Sequence, residues 1–341
     1  VSVSGGSHSS NSGTTGITIF AIGNVSLTNV SSNYNGKDGI RVDSTGAAAP
    51  RTVSVTGGNF TGNSWNGLSV DSLGTITVTN SRAFYNGIDG LDLDNDGPTG
   101  VGNITVTATG SNYTVLFGNS SDGIQAYSNR NILVNRVDSR SNGSGSGMFL
   151  INSDVTYGTG NVTVTNSILK YNQIGITIST RGSVLVDRVN SDDNYGRGLN
   201  VSVDLSVVKP VSIYRSTFID NIGDGVLVLS AGAVTLNGVI ADKNSGYGVA
   251  VNNNNGVAQP ITVLSSYGAN GMSYNSSTGM YLLSNGQISI SNVTANNNFG
   301  VGIQLSNYDG GTGTGKVIIN GALTQNNSGN DSFGRYGGVT V

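Results

Sequence analysis

A glycine followed by a large aliphatic residue recurs along the whole chain at an alternating beat. The pairs are Gly16-Ile17, Gly39-Ile40, Gly67-Leu68, Gly90-Leu91, Gly123-Ile124, Gly147-Met148, Gly175-Ile176, Gly198-Leu199, Gly225-Val226, Gly248-Val249, Gly279-Met280, Gly302-Ile303 and Gly338-Val339. They are spaced 23, 28, 23, 33, 24, 28, 23, 27, 23, 31, 23 and 36 residues apart. A period in this range implies a solenoid, whose coils bury their apolar faces only by stacking on one another. Short and long gaps alternate, so the repeating unit is a pair of coils, and the thirteen pairs predict about 13 coils. The repeat is uninterrupted, which makes 1–341 one domain. The strand-like triplets Val1-Ser2-Val3 and Val339-Thr340-Val341 suggest a segment of a longer repetitive protein.

One short coil shows how the unit works. Leu68 and Val70 alternate with Ser69 and Asp71, the period-2 pattern of a half-buried strand. After a short corner, Ile76 and Val78 alternate with Thr75, Thr77 and Thr79. A third, shorter segment leads through Asn86 to the next glycine, Gly90. Strand, corner, strand, corner, short strand and corner make one turn of a parallel β-helix, with equivalent strands about 4.8 Å apart.

From the residue after glycine to the next strand, odd coils count eight residues: Ile17 to Val25, Leu68 to Ile76, Ile124 to Ile132, Ile176 to Val184, Val226 to Val234 and Met280 to Ile288. Even coils count 12 to 14, from Ile40 to Val53 through Ile303 to Val317. Long loops therefore emerge at one corner on alternate coils. They are either a relic of duplication or a ribbed face for lateral contact or ligand.

Composition narrows the class. All nineteen acids are Asp, and β-branched residues replace the straight-chain helix formers, so helix is nearly excluded. A net charge of −3 with 16 basic residues leaves no footprint for nucleic acid. No apolar stretch is long enough to span a bilayer. Cysteine is absent, which removes disulfides and thiolate metal sites and suits an extracellular or cell-surface location.

A second register reinforces the repeat. Asn35, Asn63, Asn86, Asn119, Asn194, Asn221, Asn244, Asn275 and Asn298 each lie four residues before the glycine, with Asn142 and Asn172 one residue either side of that slot. Asn tolerates left-handed backbone angles, and stacked copies can bond amide to amide as a corner ladder. Asp38, Asp89, Asp122 and Asp224 immediately precede a glycine and are expected to form turns.

The Asn-x-x-x-Gly-aliphatic-x-aliphatic pattern, in repeats of about 23 residues over nearly the whole chain, resembles the right-handed, single-stranded parallel β-helix of the pectin-lyase-like group. The chain is also similar to repetitive bacterial cell-surface proteins. That fold hosts lyases, hydrolases, epimerases, tailspikes and adhesins, so the resemblance implies architecture and leaves activity open.

Candidate chemistry centres on aspartates. Asp43, Asp71 and Asp94 share one outward slot in three successive coils, while Arg41 and Asp92 fill the neighbouring one. These carboxylates form either a solvated acidic face softened by Arg41 or a ligand site made by Asp43, Asp71, Asp92 and Asp94. Asp92, Asp94 and Asp96 are candidate Ca²⁺ ligands beside the Asn95-Asp96-Gly97 loop, and Asp71, Asp94 and Arg41 are candidate catalytic groups. Asp192-Asp193 resembles the aspartate pair of polygalacturonases, but that family's Gly-His-Gly and Arg-Ile-Lys motifs are missing. The sole histidine, His8, has no acid near it in sequence. Tyr34, Tyr85, Tyr171, Tyr195 and Trp65 flank ladder asparagines, either shielding the corner or stacking on sugars.

The expectation is an extracellular structural or adhesive solenoid that continues into flanking repeats or self-associates. The alternative is a β-helix that binds or degrades polysaccharide or a cell-surface glycan, acting as a lyase or glycoside hydrolase if it is an enzyme.

Overall fold

The structure is a computed structural model and describes residues 1–6, 8–153, 158–254, 257–307, 315–328 and 338–340. Among these residues every regular element is a β-strand. The strands occupy three faces. Those that follow the glycine pairs form the glycine face, the next strands of each coil the threonine face, and the short strands a third face. The chain divides into two compact units, 1–173 with 180–182, and 174–179 with 183–341.

In the first unit, parallel strands on the glycine face align Ile17, Ile40, Leu68, Leu91, Ile124 and Met148. The threonine face aligns Val25, Val53, Ile76, Ile104, Ile132 and Val162. The third face aligns Ser31, Asn59, Arg82, Val115, Asp138 and Ile168.

In the second unit, the glycine face aligns Leu199, Val226, Val249, Met280, Ile303 and Val339. The threonine face aligns Val184, Val211, Val234, Ile261, Ile288 and Val317. The third face thins to single bridges joining Asn190, Thr217, Ile240 and Gly271.

The aligned aliphatics are the core. Ile40, Leu68, Leu91, Ile124 and Met148 are fully buried, as are Val226, Val249 and Met280. Each such side chain contributes about 1.5–3 kcal/mol on burial, and strict alternation along each strand prevents a one-residue slip from being tolerated.

The threonine-face strand starts read from the corner counts, Val25 through Val317, are the first residues of their strands. In the first unit short corners at 21–24, 72–75 and 129–131 alternate with longer ones at 44–52 and 96–103. The units together hold about 11 turns rather than 13. A glycine pair marks one strand rather than a closed turn, so thirteen pairs need not make thirteen turns.

Close approach explains the glycines. A Cβ on Gly67 would lie 2.6 Å from the Gly90 carbonyl oxygen and 2.8 Å from Asn86 Nδ2. A Cβ on Gly90 would lie 2.7 Å from the Gly123 carbonyl oxygen and 2.9 Å from Asn119 Nδ2. Only glycine lets a coil sit this near the next one's backbone and ladder amide.

The ladder itself is continuous within each unit. Side-chain Nδ2 donates to the next Oδ1 from Asn35 through Asn63, Asn86, Asn119 and Asn142 to Asn172 at 2.9–3.0 Å. The second unit repeats it from Asn194 through Asn221, Asn244, Asn275 and Asn298 to Asn327. Each Oδ1 also accepts the preceding rung's backbone N–H, as Asn63 Oδ1 does from Asn35. One expectation is corrected here. The left-handed residue is the one before the ladder asparagine, as at Tyr34, Tyr85, Ser141 and Tyr171. The asparagine side chain bonds along the stack, and its predecessor turns the chain.

Candidate functional site

The aspartates lie on the glycine face of the first unit. Asp43, Asp71 and Asp94 are in register on adjacent strands Ile40–Asp43, Leu68–Asp71 and Leu91–Asn95. Phe20 precedes them in the same column and Tyr127 follows. The parallel column runs Arg41, Ser69, Asp92, Gln125 and Phe149. Tyr127 and Phe149 meet edge to face with centroids 6.1 Å apart, so the acidic patch ends at an aromatic step.

Each carboxylate is held differently. Asp43 accepts bonds from Thr45 N at 3.0 Å and Thr45 Oγ1 at 2.7 Å, which keep its carboxyl below the ordinary value. Asp71 is pushed up by burial while Arg41 Nη2, 3.2 Å from its Oδ2, pulls the other way. Asp94 is raised to about 6, chiefly by burial, although the Asp96 backbone N–H at 2.9 Å opposes this. Asp92 is also raised to about 6 by burial, with the charges of Asp89 and Asp71 adding to it. An open depression of about 200 Å³ is lined by Asp43, Thr45, Asp71, Ser72, Leu73, Asp94, Asp96 and Gly97.

Asp92 faces elsewhere. Its Oδ2 accepts from Asn66 Nδ2 at 3.2 Å and Ser69 Oγ at 3.3 Å, and its Oδ1 from Gln125 Nε2 at 3.4 Å. Asp92 does not line the depression that Asp94 and Asp96 share. Among the described residues no three His, Cys, Asp or Glu side chains are grouped so as to hold a metal ion. Asp92 therefore stands apart from Asp94 and Asp96 in its hydrogen bonding.

The aspartates before glycine serve the corner. Asp38 Oδ1 accepts Asn66 N at 3.2 Å, Asn66 Oδ1 accepts Asp89 N at 3.0 Å, and Asp89 Oδ1 accepts Asp122 N at 2.8 Å. Asp122 in turn accepts Ser146 N, and burial raises its pKa to about 6. Asp224 does the same for Tyr247 N at 2.9 Å in the second unit. The Asp192-Asp193 pair is likewise structural in geometry. Asp192 Oδ1 accepts Ile219 N at 2.9 Å, and Asp193 is the left-handed residue before Asn194. The backbone of His8 belongs to strand His8–Ser10, and its side chain lies outside what is described.

Two of the tyrosines lie over glycines. A Cβ on Gly62 would lie 2.6 Å from Tyr34 Cδ1, and one on Gly118 would lie 2.7 Å from Tyr85 Cδ1, so each ring covers the next coil's glycine. Lys37 Nζ sits 4.8 Å above the Trp65 ring. Sequence reasoning missed Asn66, Ser69, Gln125 and Tyr127. The signal was available, since all occupy outward slots aligned with the aspartates already singled out.

Residues 99–262, just under half of the chain, match the model of the right-handed β-helix region. The A-module of the mannuronan C-5 epimerase AlgE6 of Azotobacter vinelandii is a similar solved structure. It has a TM-score of 0.41 and 11% identity, over 93% of this chain and 87% of that one. No residue assignment follows from that likeness. No curated protein matches the sequence.

Proposed function

We propose that this right-handed parallel β-helix is an extracellular, adhesive solenoid that binds saccharide on its acidic face without cleaving it. The carrying observation is the row of carboxylates fixed beside the Tyr127–Phe149 step. Vicinal sugar hydroxyls donate well to a held carboxylate, and an aromatic step supports the apolar face of a sugar ring. Asp43, Asp71, Asp92 and Asp94 stand at outward positions of the glycine-face strands, with Arg41 as the cation beside them. Electrostatics therefore favours a neutral or amino sugar over an acidic polymer. Self-association of the solenoid belongs to the same reading, since strand edges are templates for other chains.

A second reading has its own support. Asp94 is raised to about 6 while Asp43 is lowered, the kind of separation that a general acid and a base require. One experiment separates the two. Neutral and amino-sugar oligosaccharides are titrated against the full chain, and new reducing or unsaturated ends are measured in parallel. Adhesion predicts binding that weakens in Asp71→Asn and Asp94→Asn with no new ends. Product formation abolished by Asp94→Asn establishes the second reading, and unchanged binding by both variants removes the first. Antibody labelling of intact source cells tests the location.

A further inference from the structure

The threonine face of the first unit carries an ordered array of hydroxyl side chains. On strands Val25–Thr28, Val53–Thr56, Ile76–Thr79 and Ile104–Thr107 the inward residues are buried aliphatics, and Ser or Thr takes every outward slot. Unshifted register stacks Ser26, Ser54, Thr77 and Thr105 in one column and Thr28, Thr56, Thr79 and Thr107 in the other. Ser2 and Ser4 extend the columns at one end. At the other, Leu133 and Asn135 interrupt them before Thr163 and Thr165 resume. None of these residues is ionisable, in contrast to the aspartates of the glycine face.

The fold does not require threonine there. In the second unit the same slots hold Asp187, Tyr214, Asn237 and Leu264 in one column, and Leu185 and Ser212 precede Thr235 and Thr262 in the other. β-Propensity alone accepts such a mixture on a solvated face. The first unit's array is also unengaged. Among the described residues the hydroxyls of Ser54, Thr56, Thr77, Thr79 and Thr105 bond no other protein group. Threonine is β-branched and stiff at χ1, so little rotamer freedom is left to lose on contact. Methyls and hydroxyls thus repeat at fixed positions, about 4.8 Å apart between coils and about 6.6 Å apart along a strand. Both spacings come within about a tenth of the oxygen repeats on a prism face of ice.

We propose that this face binds the surface of ice crystals. The threonine γ-methyls restrict the orientation of the water above them, and the hydroxyls donate to and accept from that layer to hold it in place. A water layer fixed at these spacings continues the crystal lattice. Charged side chains would keep their own hydration shells instead, and the columns hold none. Bound protein blocks the addition of water to the patch it covers, so growth is confined to the gaps between bound molecules and slows. The inference uses no residue of the aspartate face and does not depend on the saccharide reading.

The test uses the full chain in two assays: partition into slowly growing ice beside an inert protein of similar size, and coarsening of ice grains in frozen sucrose solution. The chain is expected to be enriched in the ice fraction over the inert protein and to slow coarsening. Thr79→Lys and Thr105→Lys should each lower the enrichment about tenfold, because an ammonium in the array must shed water against the crystal. Thr79→Ser should fall between, since it keeps the hydroxyl and loses the methyl. Thr262→Lys, the same slot on a second-unit strand, should leave both readouts unchanged. Circular dichroism melts verify that each variant is folded, and partition of the unaltered chain decides the matter even where a variant is not. Exclusion of the unaltered chain from ice together with the inert protein would overturn the proposal. So would full enrichment of folded Thr79→Lys and Thr105→Lys, or an equal loss in Thr262→Lys.

Discussion

Replacing one rung of the asparagine ladder should cost far more than its side-chain volume suggests. Asn119 is buried, and its Oδ1 accepts from Asn86 N at 3.1 Å and Asn86 Nδ2 at 2.9 Å. Its Nδ2 donates to Asn142 Oδ1 at 3.0 Å and the Ala83 carbonyl at 3.2 Å. In Asn119→Ala, Asn86 Nδ2 keeps the Phe60 carbonyl and Asn142 Oδ1 keeps Asn119 N, but the Asn86 backbone N–H loses its acceptor. One orphaned buried donor costs about 1–3 kcal/mol. With the lost side-chain bonds and the small void, the total is about 2–4 kcal/mol.

Urea unfolding followed by circular dichroism reads this loss, and amide hydrogen exchange at Asn86 localises it. Asn119→Asp sharpens the test. Its oxygens would face the Asn142 and Ala83 oxygens, so the carboxyl is driven above its unfolded value of about 3.9. A raised pKa gives stability that is complete at low pH and is lost as pH rises through the folded value. Asn119→Asp should therefore be weakest at pH 8 and recover toward pH 4. An Asn119→Ala midpoint equal to wild type, with Asn86 exchange unchanged, would refute the ladder as a source of stability.

Three further outcomes follow from the same geometry. Gly90→Ala should destabilise by about 1–3 kcal/mol, the usual range for overpacking, because its Cβ would press on the Gly123 carbonyl oxygen at 2.7 Å; a neutral effect in urea melts would show that the coils can separate freely. Asp92, Asp94 and Asp122, each raised to about 6, stabilise the fold most below about pH 4 and lose that contribution as pH rises through 6; melting temperatures that climb between pH 4 and 6.5, or an unchanged profile in Asp92→Asn/Asp94→Asn, would contradict this. Light scattering should reveal concentration-dependent association, and a strictly monomeric chain at all concentrations would count against self-assembly.

Much of this was readable from residue order. A period-2 strand needs only local alternation, so Leu68, Val70, Ile76 and Val78 declared their faces, and the alternation after each corner, eight residues on in odd coils and 12 to 14 in even ones, located the strands from Val25 to Val317. The ladder was visible because a stacked bond demands an asparagine at a fixed offset in every coil, and Asn142 and Asn172 joined it despite their shifted positions. Asn327 escaped notice because its coil spaces it differently from the glycine.

What the sequence by itself determined is therefore the repeat, the faces and the register, since each coil restates them in local spacing. Only the tertiary structure decided what neighbouring coils do to each other. It revealed that the glycines answer to a carbonyl and an amide in the adjacent coil, and that Tyr34 and Tyr85 carry the left-handed turn ahead of the ladder. It separated Asp92 from Asp94. Contacts between coils link residues more than twenty positions apart, and their distances and angles are set by stacking, which no single coil encodes.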